Sequence, residues 1–228
     1  MNLSLRSYFD LYSELSNTDM ESYEQDRWRR YLPFLSFMNV NRGDRVLEVG
    51  CGQGELLELM RQEKKAYVVG FDLSPNYLKM VKARGIDVVL GVAEALPFAA
   101  DAFDVTVLDC IIEHVLDVDA VMREVEGVTE KSVYIEVPYR EKIAPYVHGR
   151  GMPHIRSFAK EDVYQIFGRV KKTRLIYARN IGYPFRLLWG FVLRTGRRGL
   201  ILVFDSLFLK FGIGDPVFVL VEKVKERE

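Results

Sequence analysis

The sequence predicts an α/β protein built on a mostly parallel β-sheet flanked by helices. Three observations carry this expectation. Strand-like and helix-like segments alternate through most of the chain, the pattern of successive βαβ units. A glycine-rich loop, residues 50–54, separates a short apolar strand from a helix. The following strand ends on an aspartate, Asp72, and Ser74-Pro75 opens a helix directly behind it.

Taken in order, residues 8–38 read as an amphipathic helical segment, with Tyr23, Arg27, Arg30 and Tyr31 at helical spacing. Residues 41–44 (NRGD) form a turn, and 45–49 (RVLEV) a short buried strand. After the glycine loop, Glu55, Leu56, Leu57, Leu59 and Met60 lie on one helix. Residues 66–71 form the second strand, ending at Asp72. Ser74 suits an N-cap because its hydroxyl accepts from a free backbone N–H, and Pro75 fits the first helical position. That helix ends near Gly85. Residues 86–90 are a third strand and 103–108 a fourth with Asp109 at its end. Residues 118–126 are a helix and 132–137 a fifth strand, stopped by Pro138.

Beyond Pro138 the rhythm changes. Residues 139–157 are a loop rich in Gly, Pro, His and Arg, 160–167 a short helix, and 171–177 a sixth strand. Residues 180–215 form an apolar, arginine-dotted insertion, and 217–222 a last strand before a charged tail. The 228 residues suit a single domain. It divides into an N-terminal helical cap (1–40), a ligand-binding core (41–138) and a substrate-side region (139–228).

Composition narrows the function classes. Thirty-two basic residues balance thirty-two acidic ones, so no global positive excess favours phosphate contacts, and no nucleic-acid partner is expected. The two cysteines form no CxxC pair, and Cys and His show no metal-ligand spacing, so no metal is expected. Residues 1–10 carry no signal-like apolar stretch, and no run reaches the ~18 apolar residues of a spanning helix. A reducing cytoplasm is the simplest compartment.

The loop Glu48-Val49-Gly50-Cys51-Gly52-Gln53-Gly54 has the form acidic-x-Gly-x-Gly-x-Gly. Glycines there permit a tight turn and close approach of a ligand. A dinucleotide fingerprint places its third glycine where Glu55 stands, and a carboxylate there would oppose a pyrophosphate. S-adenosylmethionine (SAM) has no phosphate, and its cationic ammonium suits acidic neighbours. Residues 46–55 resemble motif I of the class I SAM-dependent methyltransferases, particularly the small-molecule branch that includes quinone-biosynthesis enzymes. Gly70-Phe71-Asp72-Leu73-Ser74-Pro75 is similar to that family's second-strand end, 91–98 (GVAEALPF) to its adenine-flanking stretch, and 109–114 (DCIIEH) to its fourth-strand end. These matches span roughly 45–138.

The resemblance implies a Rossmann-like sheet of seven strands with the last antiparallel, and SAM as cofactor. It implies a cofactor site of Glu48, Gly50, Cys51, Gly52, Gly54, Asp72, Leu73, Ala93, Glu94, Asp109 and Cys110. Asp72 would bind the ribose hydroxyls. Val92 departs from the branch, where an aspartate often accepts from the adenine amino group, so adenine contacts fall to backbone near Ala93 and Glu94. Cys51 and Cys110 close neighbouring strands and could line the pocket together, or be small buried hydrophobes.

No catalytic residue stands out from the sequence. His114, His148 and His154 are candidates for a base or a substrate contact, against the alternatives of structural or solvated histidines. A base is needed for a phenol, an alcohol or an acidic carbon, and not for a neutral amine. The expected reaction is methyl transfer to O, N or C of a small molecule. The apolar block within 183–213 has three readings: a lid over a lipophilic acceptor, peripheral membrane contact with basic anchors, or extra core and dimer contact. A monomer and a homodimer are both compatible with the sequence. The rival class is a SAM-binding regulatory or partner module without turnover.

Overall fold

The computed structural model describes Tyr31, Leu35, residues 38–138, 154–156 and Phe158, together with the backbone of 173–178 and 218–224. Strand and helix alternate as β1 (Arg45–Val49), α1 (Glu55–Leu59) running into a π-helical turn (Met60–Lys64), β2 (Tyr67–Asp72), and α2 (Pro75–Ala83). Then follow β3 (Asp87–Leu90), β4 (Phe103–Asp109), α3 (Val118–Val128) and β5 (Thr129–Pro138). These five strands pair in parallel in the order β3-β2-β1-β4-β5. The mostly parallel, Rossmann-like α/β sheet expected from the sequence is present. Backbone ladders continue beyond β5: β7 (Phe218–Val224) runs antiparallel between β5 and β6 (Thr173–Ala178).

Strand alternation sends successive side chains to opposite faces, and both faces are covered. Val46, Val68, Val105 and Val107 pack with Leu56, Leu57 and Met60 and with Leu78 and Val81 of α2. Leu47, Val49, Phe71, Leu108, Val133 and Ile135 pack instead against Val121, Met122 and Val125 of α3. This two-sided burial explains why the strands read as near-continuous apolar runs. Phe98 stacks edge-on against both Phe71 and Phe103, with ring centroids 6.0 and 4.9 Å away.

Helix starts follow the local signals. Ser74 Oγ accepts from Tyr77 N–H at 3.3 Å with Pro75 at the first position, and Asp117 Oδ1 accepts from Ala120 N–H at 2.9 Å. Most boundaries shift by only one or two residues from the sequence expectation, and two differences stand out. The first helix changes to a π-turn at Met60, closed by Lys65 at φ 57°. β5 begins at Thr129 and includes Pro138, whose partner is Phe218.

Of the N-terminal cap, Tyr31 and Leu35 are helical and buried with Met38 and Val40 in the second core cluster. Asn39 N–H donates to the Tyr134 hydroxyl at 2.7 Å. The rest of that cap, His148, the 160–167 helix and the 180–215 insertion lie outside the described residues. No helix among the described residues is long and apolar enough to cross a membrane.

The N-terminal edge of the sheet is held by ions. Asp104 accepts from Arg45 backbone N–H at 2.8 Å and from Arg45 Nε at 2.9 Å, and pairs with Lys131 Nζ at 2.9 Å. Lys131 reaches Asp44 as well, at 2.8 Å. The opposite end, where β1 and β4 lie side by side and strand order reverses, is left for a ligand.

Candidate functional site

The glycine loop is fastened to the end of β2. Gly50 and Cys51 N–H both donate to Phe71 O, at 2.7 and 3.1 Å. Asp72 is 2 % exposed and its carboxylate organises the loop: Oδ2 accepts from Gly52 N–H and Oδ1 from Ser74 N–H, each at 2.8 Å. Gly54 sits at φ 75°, and a Cβ there would lie 2.8 Å from Val81 Cγ2, so its absence lets α1 approach α2. Gly52, at φ 50°, faces open space: among the described residues no atom beyond its chain neighbours lies within 4 Å of where its Cβ would be. The loop thus has one glycine for packing and one beside an open approach.

Glu48 projects from β1 behind this loop and is 3 % exposed. It accepts from Leu57 N–H, while its Oε2 has no hydrogen-bond partner among the described residues. Burial pushes its carboxyl well above the usual range, and the charges of Asp109, Glu55 and Asp72 add to the push. A buried carboxylate surrounded by three more acids is unfavourable alone and favourable beside a cation. SAM carries an ammonium and a sulfonium, so a carboxylate oxygen among acidic neighbours suits it. A dinucleotide pyrophosphate would be repelled.

The other expected residues divide. Leu73 is half-buried after Asp72, and Ala93 is buried in the core. The Glu94 carboxylate accepts from Leu116 N–H at 2.9 Å, which fixes the 91–98 stretch to the turn before α3. Val92 is half-buried. Asp109 ends β4 opposite Glu136 of β5, and Cys110, at φ 53°, donates its N–H to Glu136 O at 2.9 Å. Of the two readings for the cysteines, the position of Cys51 fits the small buried hydrophobe. Its thiol is buried in the core against Leu57 and Gly70, whose own Cβ would lie 2.8 Å from the sulfur. Burial, with the charges of Asp72 and Glu48, pushes that thiol well above the ordinary range, which disfavours the thiolate. Cys51 offers the loop its backbone.

Two of the three candidate histidines meet. His114 follows β4 and His154 lies forty positions later, yet their rings contact edge-on with centroids 4.9 Å apart. Ile155 N–H donates to Glu113 O at 3.0 Å. Arg156 clamps the same turn, Nη1 donating to Ile112 O and Val115 O and Nη2 to Leu116 O. Phe158 is buried in the first core cluster. Sequence reading missed the clamp by Arg156 and also Ile111, whose side chain covers Gly50 so closely that a Cβ there would collide with its Cδ1. The pairing partners are far apart in sequence, and no local period announces them.

Residues 47–136 match the family model described as a methyltransferase domain. They are a class I SAM-dependent methyltransferase domain. A ubiquinone/menaquinone biosynthesis C-methyltransferase of Xanthomonas oryzae pv. oryzae is 30% identical over 132 residues, covering 53% of this chain and 49% of that one. The chain spans about half the length of the curated relatives it matches. Among solved structures, the putative methyltransferase complexed with the Trm112 activator of Haloferax volcanii is similar, with TM-score 0.65, 17% identity and 99% of each chain covered. Haemonchus contortus phosphoethanolamine N-methyltransferase 2, bound to phosphomonomethylethanolamine and S-adenosylhomocysteine, has TM-score 0.64, 15% identity and coverage of 99% of this chain and 61% of that one. At these identities the structures speak for the fold. SAM is the cofactor of this methyltransferase domain.

Proposed function

We propose that this methyltransferase transfers the methyl group of SAM to a small acceptor, and that the acceptor is a lipophilic quinone-type ring methylated at carbon. The buried Glu48 Oε2, without a hydrogen-bond partner among the described residues and close to the charges of Asp109, Glu55 and Asp72, carries the SAM half of the reading. The quinone half rests on the C-methyltransferase relatives, which share 30–34% identity over about half their length. When bound, SAM supplies a methyl already made electrophilic by its sulfonium.

In this reading the chain's residues bind and orient. Glu48 would take the ammonium, and the open backbone at Gly52 lies where a ligand can approach. Asp72, held by the Gly52 and Ser74 amides at the end of β2, stands where the ribose hydroxyls are expected. Backbone near Ala93 and Glu94 is left to meet the adenine. Positioning and exclusion of water supply most of the acceleration, several kcal/mol and up to roughly ten in good cases. The seven-stranded count, with its last strand antiparallel, belongs to the same proposal and is supported by the β5–β7 and β6–β7 ladders.

The test is turnover with methyl-labelled SAM and a reduced demethylated naphthoquinol in detergent micelles, reading label in the quinone and S-adenosylhomocysteine formed. Labelled product supports the proposal. SAM binding with no label on quinols, phenols or amines would assign the chain instead to a binding module without turnover.

A further inference from the structure

The two half-buried histidines and the buried Glu113 remain outside the cofactor site just described. Their ligating atoms, one per residue, all lie within 4.8 Å of one another. Glu113 is 1 % exposed, and the 110–116 turn that carries it and His114 follows β4 directly at the ligand end of the sheet. The third residue comes from a distant segment, which is fixed in three ways. Ile155 N–H bonds to Glu113 O, Arg156 grips three carbonyls of the same turn, and Phe158 is anchored in the core. The two segments are therefore held in register before any ligand arrives.

We infer that Glu113, His114 and His154 form a divalent transition-metal site, with zinc as the fitting ion. Two imidazoles and one carboxylate are a borderline donor set that suits Zn²⁺ and excludes the all-oxygen preference of Mg²⁺ or Ca²⁺. Bonds of ~2.0–2.1 Å in tetrahedral geometry set donors roughly 3.3 Å apart. The cluster reaches that by small side-chain rotations, because its backbones are already tied together. Three protein ligands leave a fourth position open, the arrangement of zinc sites that act on a bound oxygen rather than serve as staples.

The position gives the site a use. Ile111, in the same turn as Glu113 and His114, covers Gly50, so the turn that carries two of the ligands also reaches the glycine loop. The metal's open position takes a hydroxyl oxygen of the acceptor, which releases its proton to water as the oxygen binds. This deepens the function proposed above and rests on it: the acceptor class becomes ring compounds with a hydroxyl beside the methylated carbon. The ionised hydroxyl feeds electrons to that carbon, which attacks the methyl while the C–S electron pair stays on sulfur. The ring carbon's own proton then leaves to water.

The experiment uses the full chain, stripped with a chelator, and titrates Zn²⁺ alone against a chromophoric competitor. Co²⁺ substitution reads the coordination by its d–d spectrum. One equivalent should bind, with a tetrahedral or five-coordinate cobalt spectrum. His154→Ala and Glu113→Gln should each weaken binding by about 100-fold or more, since even outer-shell losses weaken metal sites by 10–100-fold. S-adenosylhomocysteine affinity is measured on the same samples. If His154→Ala keeps that affinity, the variant is folded and its metal result counts; if it does not, Glu113→Gln is judged by the same criterion. No stoichiometric Zn²⁺ binding by a chain that binds S-adenosylhomocysteine would overturn the metal site and leave the methyltransferase reading standing. Failure to bind S-adenosylhomocysteine would strike that reading instead. Loss of zinc in Cys110→Ser but not His154→Ala would place the ion at Asp109, Cys110 and Glu136, and overturn the assignment.

Discussion

Replacing Glu48 by Gln separates the role of its charge from that of its shape. The side chain is buried, accepts from Leu57 N–H, and leaves Oε2 without a hydrogen-bond partner among the described residues. Glutamine keeps the volume, and its amide oxygen can keep the Leu57 bond. What disappears is a carboxylate able to meet an ammonium. A hydrogen bond to a charged group contributes about 1.5–3 kcal/mol, so SAM affinity should fall roughly 10- to 150-fold. The free protein should respond in the other direction. Burial raises the folded-state pKa of Glu48. Its stabilising contribution is therefore fully present below the unfolded value and lost as pH rises through the folded one. Glu48→Gln removes that loss, so its stability relative to wild type should increase with pH.

The same sign governs binding. A cation favours the ionised carboxylate, so SAM binding to wild type should release protons, with affinity rising as pH rises through the free-state pKa. Titration calorimetry at several pH values, in buffers of different ionisation enthalpy, measures both quantities. Glu48→Gln should show weaker binding and less proton release. Wild-type affinity in the variant, or a pH profile identical to wild type, would refute the view that Glu48 receives the ammonium. Severe destabilisation would refute the view that its charge is unfavourable in the free protein.

Three further outcomes test the rest of the structure. Gly54→Ala forces a Cβ to 2.8 Å from Val81 Cγ2 at φ 75°; left-handed strain and overpacking together should cost about 2–4 kcal/mol in urea unfolding. Asp72→Ala removes the acceptor of the Gly52 and Ser74 amides; SAM affinity should drop by at least about tenfold, and hydrogen exchange at Gly52 should quicken. Asp104 is buried, which acts upward, yet hydrogen bonds from Arg45 and Lys131 hold its carboxyl well below the usual range. Its contribution is present above the unfolded pKa of about 4 and lost as pH falls through the folded value. Because Arg45 and Lys131 are well exposed, Asp104→Asn should cost only about 1–3 kcal/mol at neutral pH, with the difference shrinking in acid.

The sequence by itself determined the parallel sheet and the cofactor loop. Both are written in local patterns: apolar strands of fixed length, glycines where the backbone takes positive φ, and the Ser74-Pro75 helix start. It also put Asp72 and Glu48 on the strands that flank this loop, because each stands at a strand position that the loop spacing fixes. Tertiary structure alone decided which way Cys51 points, since a loop residue can turn to core or crevice at equal sequence spacing, and packing against Gly70 chose the core. It alone turned Glu94 towards Leu116 and set Ile111 over Gly50. Above all it brought His154 to Glu113 and His114, residues whose meeting depends on a chain return that Arg156 and Phe158 secure. Local periodicity reports what a segment buries; contacts between distant segments are chosen by packing, and no short pattern records them.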